Sequence, residues 1–140
     1  MAELVIIRGL PGSGKSTRAR QCFPNHLHYE PDHLLCDTNG KYIFDAQIWP
    51  KAIKFIELLT DLALAKGKDV VVSDVFCKLS ETHRLIQIGR AHKSTIKTIT
   101  CKQKFNNVHN VPLFVLEDME DAFEEAEDFT EVNDKSVDIC

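Results

Sequence analysis

Glu3-Leu4-Val5-Ile6-Ile7-Arg8-Gly9-Leu10-Pro11-Gly12-Ser13-Gly14-Lys15-Ser16-Thr17, residues 3–17, is an aliphatic run that breaks into glycines and ends on a lysine and two hydroxyls. A continuous β-branched run of this length reads as a strand covered on both faces. The glycines that follow let the backbone turn tightly and approach an anion. Consecutive N–H groups and the positive end of a new helix then face that anion. Gly9–Thr17 satisfies GxxxxGK[ST], the pattern of a phosphate loop, in the strand-to-helix setting that gives the pattern its meaning. Gly9, Pro11, Gly12, Ser13, Gly14, Lys15, Ser16 and Thr17 are the expected nucleotide contacts. Lys15 should reach the outer phosphates of ATP, and the Ser16 hydroxyl should meet Mg²⁺.

Working outward, helix and strand patterns alternate. Lys15–Cys22 should be a helix stopped by Pro24, and His26–Glu30 a short strand. Asn39-Gly40 signals a turn, with Lys41–Phe44 pairing back as a minor hairpin. Pro50 suits the first turn of a long helix whose Ile53, Ile56, Leu59, Leu62 and Ala63 share a face, and Gly67 would stop it. Asp69–Ser73 carries three consecutive valines, a second strand buried on both sides. Ser80 should cap a helix to about His92 that Gly89 weakens, and Thr95–Cys101 is another β-branched strand. Pro112 should open a last helix. Such alternation predicts an α/β, three-layer P-loop fold with about four main parallel strands flanked by helices. The expected division is a nucleotide-binding domain over 1–125 and an acidic, flexible tail over 126–140.

With 140 residues and 44% hydrophobic side chains, one domain can build its own core. Cys22, Cys36, Cys77, Cys101 and Cys140 show no ligand spacing, which argues against a zinc site or a disulfide framework. Free thiols and the lack of an apolar stretch of spanning length predict a cytoplasmic protein with no membrane partner. The net charge of −4 is unevenly spread. Residues 78–104 hold seven basic side chains against Glu81 alone, and residues 105–140 hold eleven acidic ones against Lys135 alone. The basic stretch is a candidate surface for an anionic partner, and equally a set of solvated faces.

Asp32 and Asp74 each follow an expected strand. In an open parallel sheet the ligand crevice lies at the carboxyl ends of the strands, so both should point to the γ-phosphate. One carboxylate can take a proton from an attacking hydroxyl, and the other can hold Mg²⁺ through water.

Taken together, RGLPGSGKST, YEPDHLL, the Gly40-Lys41-Tyr42-Ile43-Phe44-Asp45 stretch, VVVSD and Asn107–Pro112 resemble the AAA-type P-loop kinase group. That group includes the kinase domain of phage polynucleotide kinase. The resemblance spans roughly residues 3–125 and implies an ATP- and Mg²⁺-dependent phosphotransferase acting on a 5′-hydroxyl. It implies Asp32 as the catalytic base and Asp74 as the second aspartate, near acceptor or metal. The chain departs from the pattern in two places. Apolar Leu34-Leu35 stands where an arginine is expected after the aspartate, and no lid arginine is evident. Lys102, Lys104 and His109 are the remaining candidates for lid or acceptor contacts. Three readings stay open: a kinase of a 5′-OH nucleic acid end, a kinase of a small metabolite or nucleoside, and an ATP-binding or ATP-hydrolysing switch with little transfer.

Overall fold

The computed structural model describes residues 2–10, 13–31, 47–76, 78–101, 123 and 130–132. Glu3–Gly9 is strand β1, and it is buried along nearly its whole length, as its aliphatic run requires. Helix α1 covers Lys15–Cys22, strand β2 Leu27–Tyr29, helix α2 Trp49–Ala65 and strand β3 Val70–Asp74. A 3₁₀ turn at Leu79–Thr82 leads into helix α3, His83–Ala91, then strand β4, Thr95–Cys101, and strand β5, Thr130–Val132. The strands form one sheet in the order β2-β3-β1-β4-β5, with every neighbouring pair parallel. This is the expected three-layer α/β fold.

Because side chains alternate across a strand, β1 supplies two cores. Leu4 and Ile6 meet Val70 and Val72 of β3, Ile56 and Leu64 of α2, and Leu85 of α3 on one face. Val5 and Ile7 meet Val71, Ile99 of β4, Ala19 of α1 and Phe23 at its end on the other. The register aligns Arg8 with Asp74 and Gly9 with Cys101, so β1, β3 and β4 end side by side at one edge of the sheet.

Several expectations change. Leu62 is half exposed, at 51%, and Leu64 is buried in its place. The helix after β3 starts at His83 rather than under a Ser80 cap. Leu79–Thr82 is wound more tightly, with the Thr82 hydroxyl donating to the Leu79 carbonyl at 2.7 Å. Three residues inside the acidic stretch 126–140, Thr130–Val132, are a strand on β4 rather than part of a flexible extension. Cys22 is disulfide-bonded, against the expectation of free thiols, whereas Cys101 is free and buried. The hairpin at 41–44 and the helix from Pro112 lie outside the described residues. No described helix is long and apolar enough to cross a membrane.

Gly89 has a packing reason that propensity alone does not supply. A Cβ there would stand 2.9 Å from Leu4 Cδ2 and 3.1 Å from Ile96 Cδ1, so its absence lets α3 lie close on the sheet. Gly89→Val should therefore cost about 1–3 kcal/mol of stability by overpacking. Urea unfolding measures this, and an unchanged midpoint would mean that α3 can lift away from the sheet freely.

Candidate functional site

At its carboxyl end β1 turns into the phosphate loop. Gly9 cannot carry a side chain there, since a Cβ would overlap Ser13 Oγ and stand 2.8 Å from the Cys101 carbonyl oxygen. The Gly9 N–H donates to the Val75 carbonyl at 3.3 Å, tying the loop to the segment after β3. Gly14 precedes α1 at φ 88, left-handed backbone that glycine adopts without strain. The first turn of α1 holds no acidic residue, which leaves its positive end for an anion. Ser13 Oγ is buried and has no hydrogen-bond partner, the kind of orphan that an incoming phosphate oxygen would satisfy. Lys15 bends back so that Nζ donates to the Leu10 carbonyl at 3.1 Å.

Ser16 sits in the first turn of α1, and its hydroxyl donates to the carboxylate of Glu30, 2.8 Å from Oε1 and 2.7 Å from Oε2. Glu30 follows β2 and is only 3% exposed. The Ser73 hydroxyl of β3 donates to its Oε2 at 3.2 Å. His28 Nε2 lies 3.1 Å from the same oxygen and 2.8 Å from Ser73 Oγ. A hydroxyl that gives its proton to a carboxylate turns its lone pairs outward, as a ligand for a hard cation must. Ser16 thus fits the Mg²⁺ role expected of it, with Glu30 as the group that orients it.

Asp74 ends β3, largely buried, and its Oδ1 accepts from the Val75 N–H at 2.7 Å. Two residues on, Phe76 takes φ 46, left-handed backbone that costs a bulky side chain on the order of 1 kcal/mol or more. This turn aims the Phe76 carbonyl at Arg8, whose Nε donates to it at 3.0 Å. The fully buried Arg8 guanidinium also lies 4.0 Å over the Phe123 ring. Cys101 ends β4 on the other side of β1. Burial pushes its thiol up from the ordinary value, against the opposing pull of Arg18 and Lys15, so it stays protonated at neutral pH.

Beside Asp74 the sheet, α2 and the 3₁₀ turn form a shallow groove. Ile53, Ile56, Val72, Phe76 and Leu85 line it with Pro31, and the charged members among the described residues, Asp74, Glu57 and Glu81, are acidic. Arg84 Nε, 3.6 Å from Glu57, offsets one of these charges. Two of the described basic residues of 78–104 lie on opposite faces of the sheet. Arg84 lies on the α2 face of the sheet, and Lys97 packs over Phe23 on the α1 face.

Gly9, Ser13, Gly14, Lys15 and Ser16 stand together at the carboxyl end of β1, Thr17 is exposed on α1, and Asp74 ends β3 at the same edge of the sheet but lines the groove on the α2 face. Pro11, Gly12, Asp32, Lys102, Lys104 and His109 lie outside the described residues. Sequence reasoning missed Glu30 and Arg8. The sequence pattern places Glu30 as the last residue of the strand His26–Glu30; the strand ends at Tyr29, and Glu30 turns toward Ser16.

The family model for the AAA domain matches residues 4–109. The chain belongs to the AAA-domain family. Among solved structures, this AAA domain is similar to a sugar kinase from a Janibacter species, at 16% identity and TM-score 0.66 over 95% of this chain and 84% of that one. An APS kinase from Mycobacterium tuberculosis, solved with AMPPNP and APS, matches at 16% identity and TM-score 0.66 over 98% and 91%. A gluconokinase from Sinorhizobium meliloti matches at 19% identity and TM-score 0.57 over 96% and 83%. At these identities the likeness establishes the fold, that of P-loop kinases.

In this AAA domain Lys15→Ala should abolish measurable ATP binding by calorimetry while the circular dichroism spectrum is kept. Unchanged affinity would remove the loop from nucleotide binding. Glu30→Gln keeps the shape but loses the charge. It should raise the Mg²⁺ concentration needed for half-maximal nucleotide binding by about 10–100-fold, the usual effect of losing a partner behind a metal ligand. Metal-free ATP binding should change much less, and equal loss in both conditions would assign Glu30 to the fold rather than to the metal.

Proposed function

We propose that this AAA domain is an ATP-dependent kinase that transfers the γ-phosphate of ATP, with Mg²⁺, to a hydroxyl of a small acceptor. The reading rests on one arrangement. Glu30, after β2, meets Ser16 at the start of α1, and Asp74, ending β3 beside β1, lines a small, mostly apolar groove on the α2 face. Ser16 and, through water, Asp74 would hold the Mg²⁺, which neutralises charge on the phosphates when bound. Lys15, the loop N–H groups and the positive end of α1 would carry the charge that develops on the transferring phosphoryl group. Asp32, two residues past Glu30, is the proposed general base for the acceptor hydroxyl. The kinase relatives named above act on small molecules, which supports the same class of acceptor.

The polynucleotide 5′-hydroxyl reading is the second. Its support is the motif order shared with the polynucleotide kinase type and the basic stretch that ends in Lys102 and Lys104. Against it stand the acidic rim of the groove and the divergence of Arg84 and Lys97 to opposite faces. A nucleic acid end needs cations along its path. For either acceptor the proposed location is the cytoplasm, where ATP is abundant.

Transfer of labelled γ-phosphate to a panel of polyols, nucleosides, amino alcohols and 5′-OH DNA and RNA separates the readings. Small alcohols should be labelled and oligonucleotides refused. The reverse result would establish the second reading, and hydrolysis without any transfer would make the domain a switch. With the accepted substrate, Asp32→Asn should lower the transfer rate by about 10²–10⁴-fold while leaving ATP affinity within a few-fold. Full activity in that variant would move the base elsewhere.

A further inference from the structure

Helix α2 is anchored by Ala52, Ile56, Thr60, Ala63 and Leu64, which point into the fold. The opposite side, where a surface helix normally carries polar residues, exposes large apolar side chains among Lys51, Lys54 and Asp61. Ile48 at the helix start is 47% exposed, Phe55 47%, Leu58 52% and Leu62 51%. Steps of seven, seven and three relate Ile48 to Phe55, Phe55 to Leu62, and Phe55 to Leu58. With Ile48, Phe55 and Leu62 at a, the d positions are Lys51, Leu58 and Ala65. These six and the two g positions, Lys54 and Asp61, are the exposed residues between 48 and 65 apart from Pro50. A seam of a and d residues turned to solvent is the pattern of a helix that pairs with another helix.

We propose that this seam pairs with α2 of a second copy of the chain, antiparallel, across a two-fold axis. The charges choose both the occupant and the direction. In an antiparallel pair each a residue faces a d residue of the other helix. Phe55 then meets the partner's Leu58, Ile48 meets the partner's Ala65, and Leu62 covers the stem of the partner's Lys51. In that register g faces g, so Lys54 meets the partner's Asp61, and the symmetry makes the same contact twice. A parallel pair would set g against e, where Ala52 and Leu59 offer no charge, and would leave Lys54 and Asp61 unmatched. Asp61 is already oriented, since it accepts from His92 Nε2 at 2.6 Å, yet its side chain remains 53% exposed and able to accept again. The inference is independent of the kinase reading, because the seam lies away from the groove-lining Ile53, Ile56 and Glu57.

Sedimentation equilibrium of the full chain from about 1 to about 100 µM tests it, a range that brackets ordinary weak to moderate association. Wild type should dimerise within this range, and Leu58→Glu should be monomeric throughout. Lys54→Glu and Asp61→Lys should each raise the dissociation constant roughly 3–10-fold, as two partly exposed ion pairs become like-charge pairs. The double variant should recover wild-type association, because swapping both charges restores an opposite-sign pair at each contact. Thermal melts confirm that the exposed substitutions leave each chain folded. Lys54→Glu breaks no described contact within its own chain, so it reads the charge effect alone if Asp61→Lys proves unstable. A wild type that stays monomeric, a Leu58→Glu variant that still dimerises, or a double variant no better than the singles would overturn the proposal.

Discussion

A carboxylate removed from water must find donors, or its burial costs several kcal/mol. Glu30 finds them in three separate elements: Ser16 in α1, Ser73 in β3 and His28 in β2. The demand acts as a geometric constraint. Moving β2 along β3 by one residue would swing Glu30 to the other side of the sheet and strand the Ser16 hydroxyl. The pairing of Leu27 with Val70 and Tyr29 with Val72 holds that register although β2 has only three residues. The phosphate loop is thus positioned by more than its own glycines. One end is fixed by the Gly9 N–H on Val75, and the helix that leaves it is fixed by Glu30.

What could be read from the sequence follows from how local each signal is. The phosphate loop and the doubly buried strands are carried by adjacent residues, so β1, β3, β4 and the positions of Gly9, Lys15, Ser16 and Asp74 were legible. Glu30 was not, because its role depends on Ser16, fourteen residues away, and on Ser73 in another strand. Leu62 reads as a core residue because α2 is apolar around much of its circumference. A 3.6-residue period then fits two faces, and only packing against Leu4 and Val72 decides between them. Thr130–Val132 is too short and too polar to show a strand period. It exists as a strand because β4 leaves a backbone edge to be paired. The aim of Arg8 was equally hidden, since its partners Phe76 and Phe123 lie far along the chain.

The chemistry of the crevice is divided across β1. On the α1 side are the groups suited to phosphate: the loop amides, Lys15, Arg18 near Cys101, and the start of the helix. On the α2 side are an apolar groove and three carboxylates. The buried Arg8, on the same face of β1 as Leu4 and Ile6, is held by the Phe76 carbonyl and the Phe123 ring, so its charge belongs to the framework of the crevice rather than to a loose surface patch. An anionic acceptor entering on the α2 side would meet like charge in a partly desolvated space, where repulsion is less screened than at the surface. An uncharged or amine-bearing alcohol would meet no such barrier.

Helix α2 joins this groove to the proposed interface. Its inner residues Ile53, Ile56 and Glu57 shape the acceptor side, and its outer residues Phe55, Leu58 and Leu62 form the seam. A helix packed on one side can tilt at the cost of its contacts with β1 and β3. A helix packed on both sides cannot tilt without breaking two interfaces. Pairing through the seam would therefore narrow the range of groove shapes and lower the ordering cost of binding a small acceptor. The same two-fold contact would couple the grooves of the two copies, because a shift of either α2 displaces Phe55 against the partner's Leu58. The apolar seam then has a use beyond association: it makes the position of α2, and with it the acceptor side of the site, a shared property of two chains.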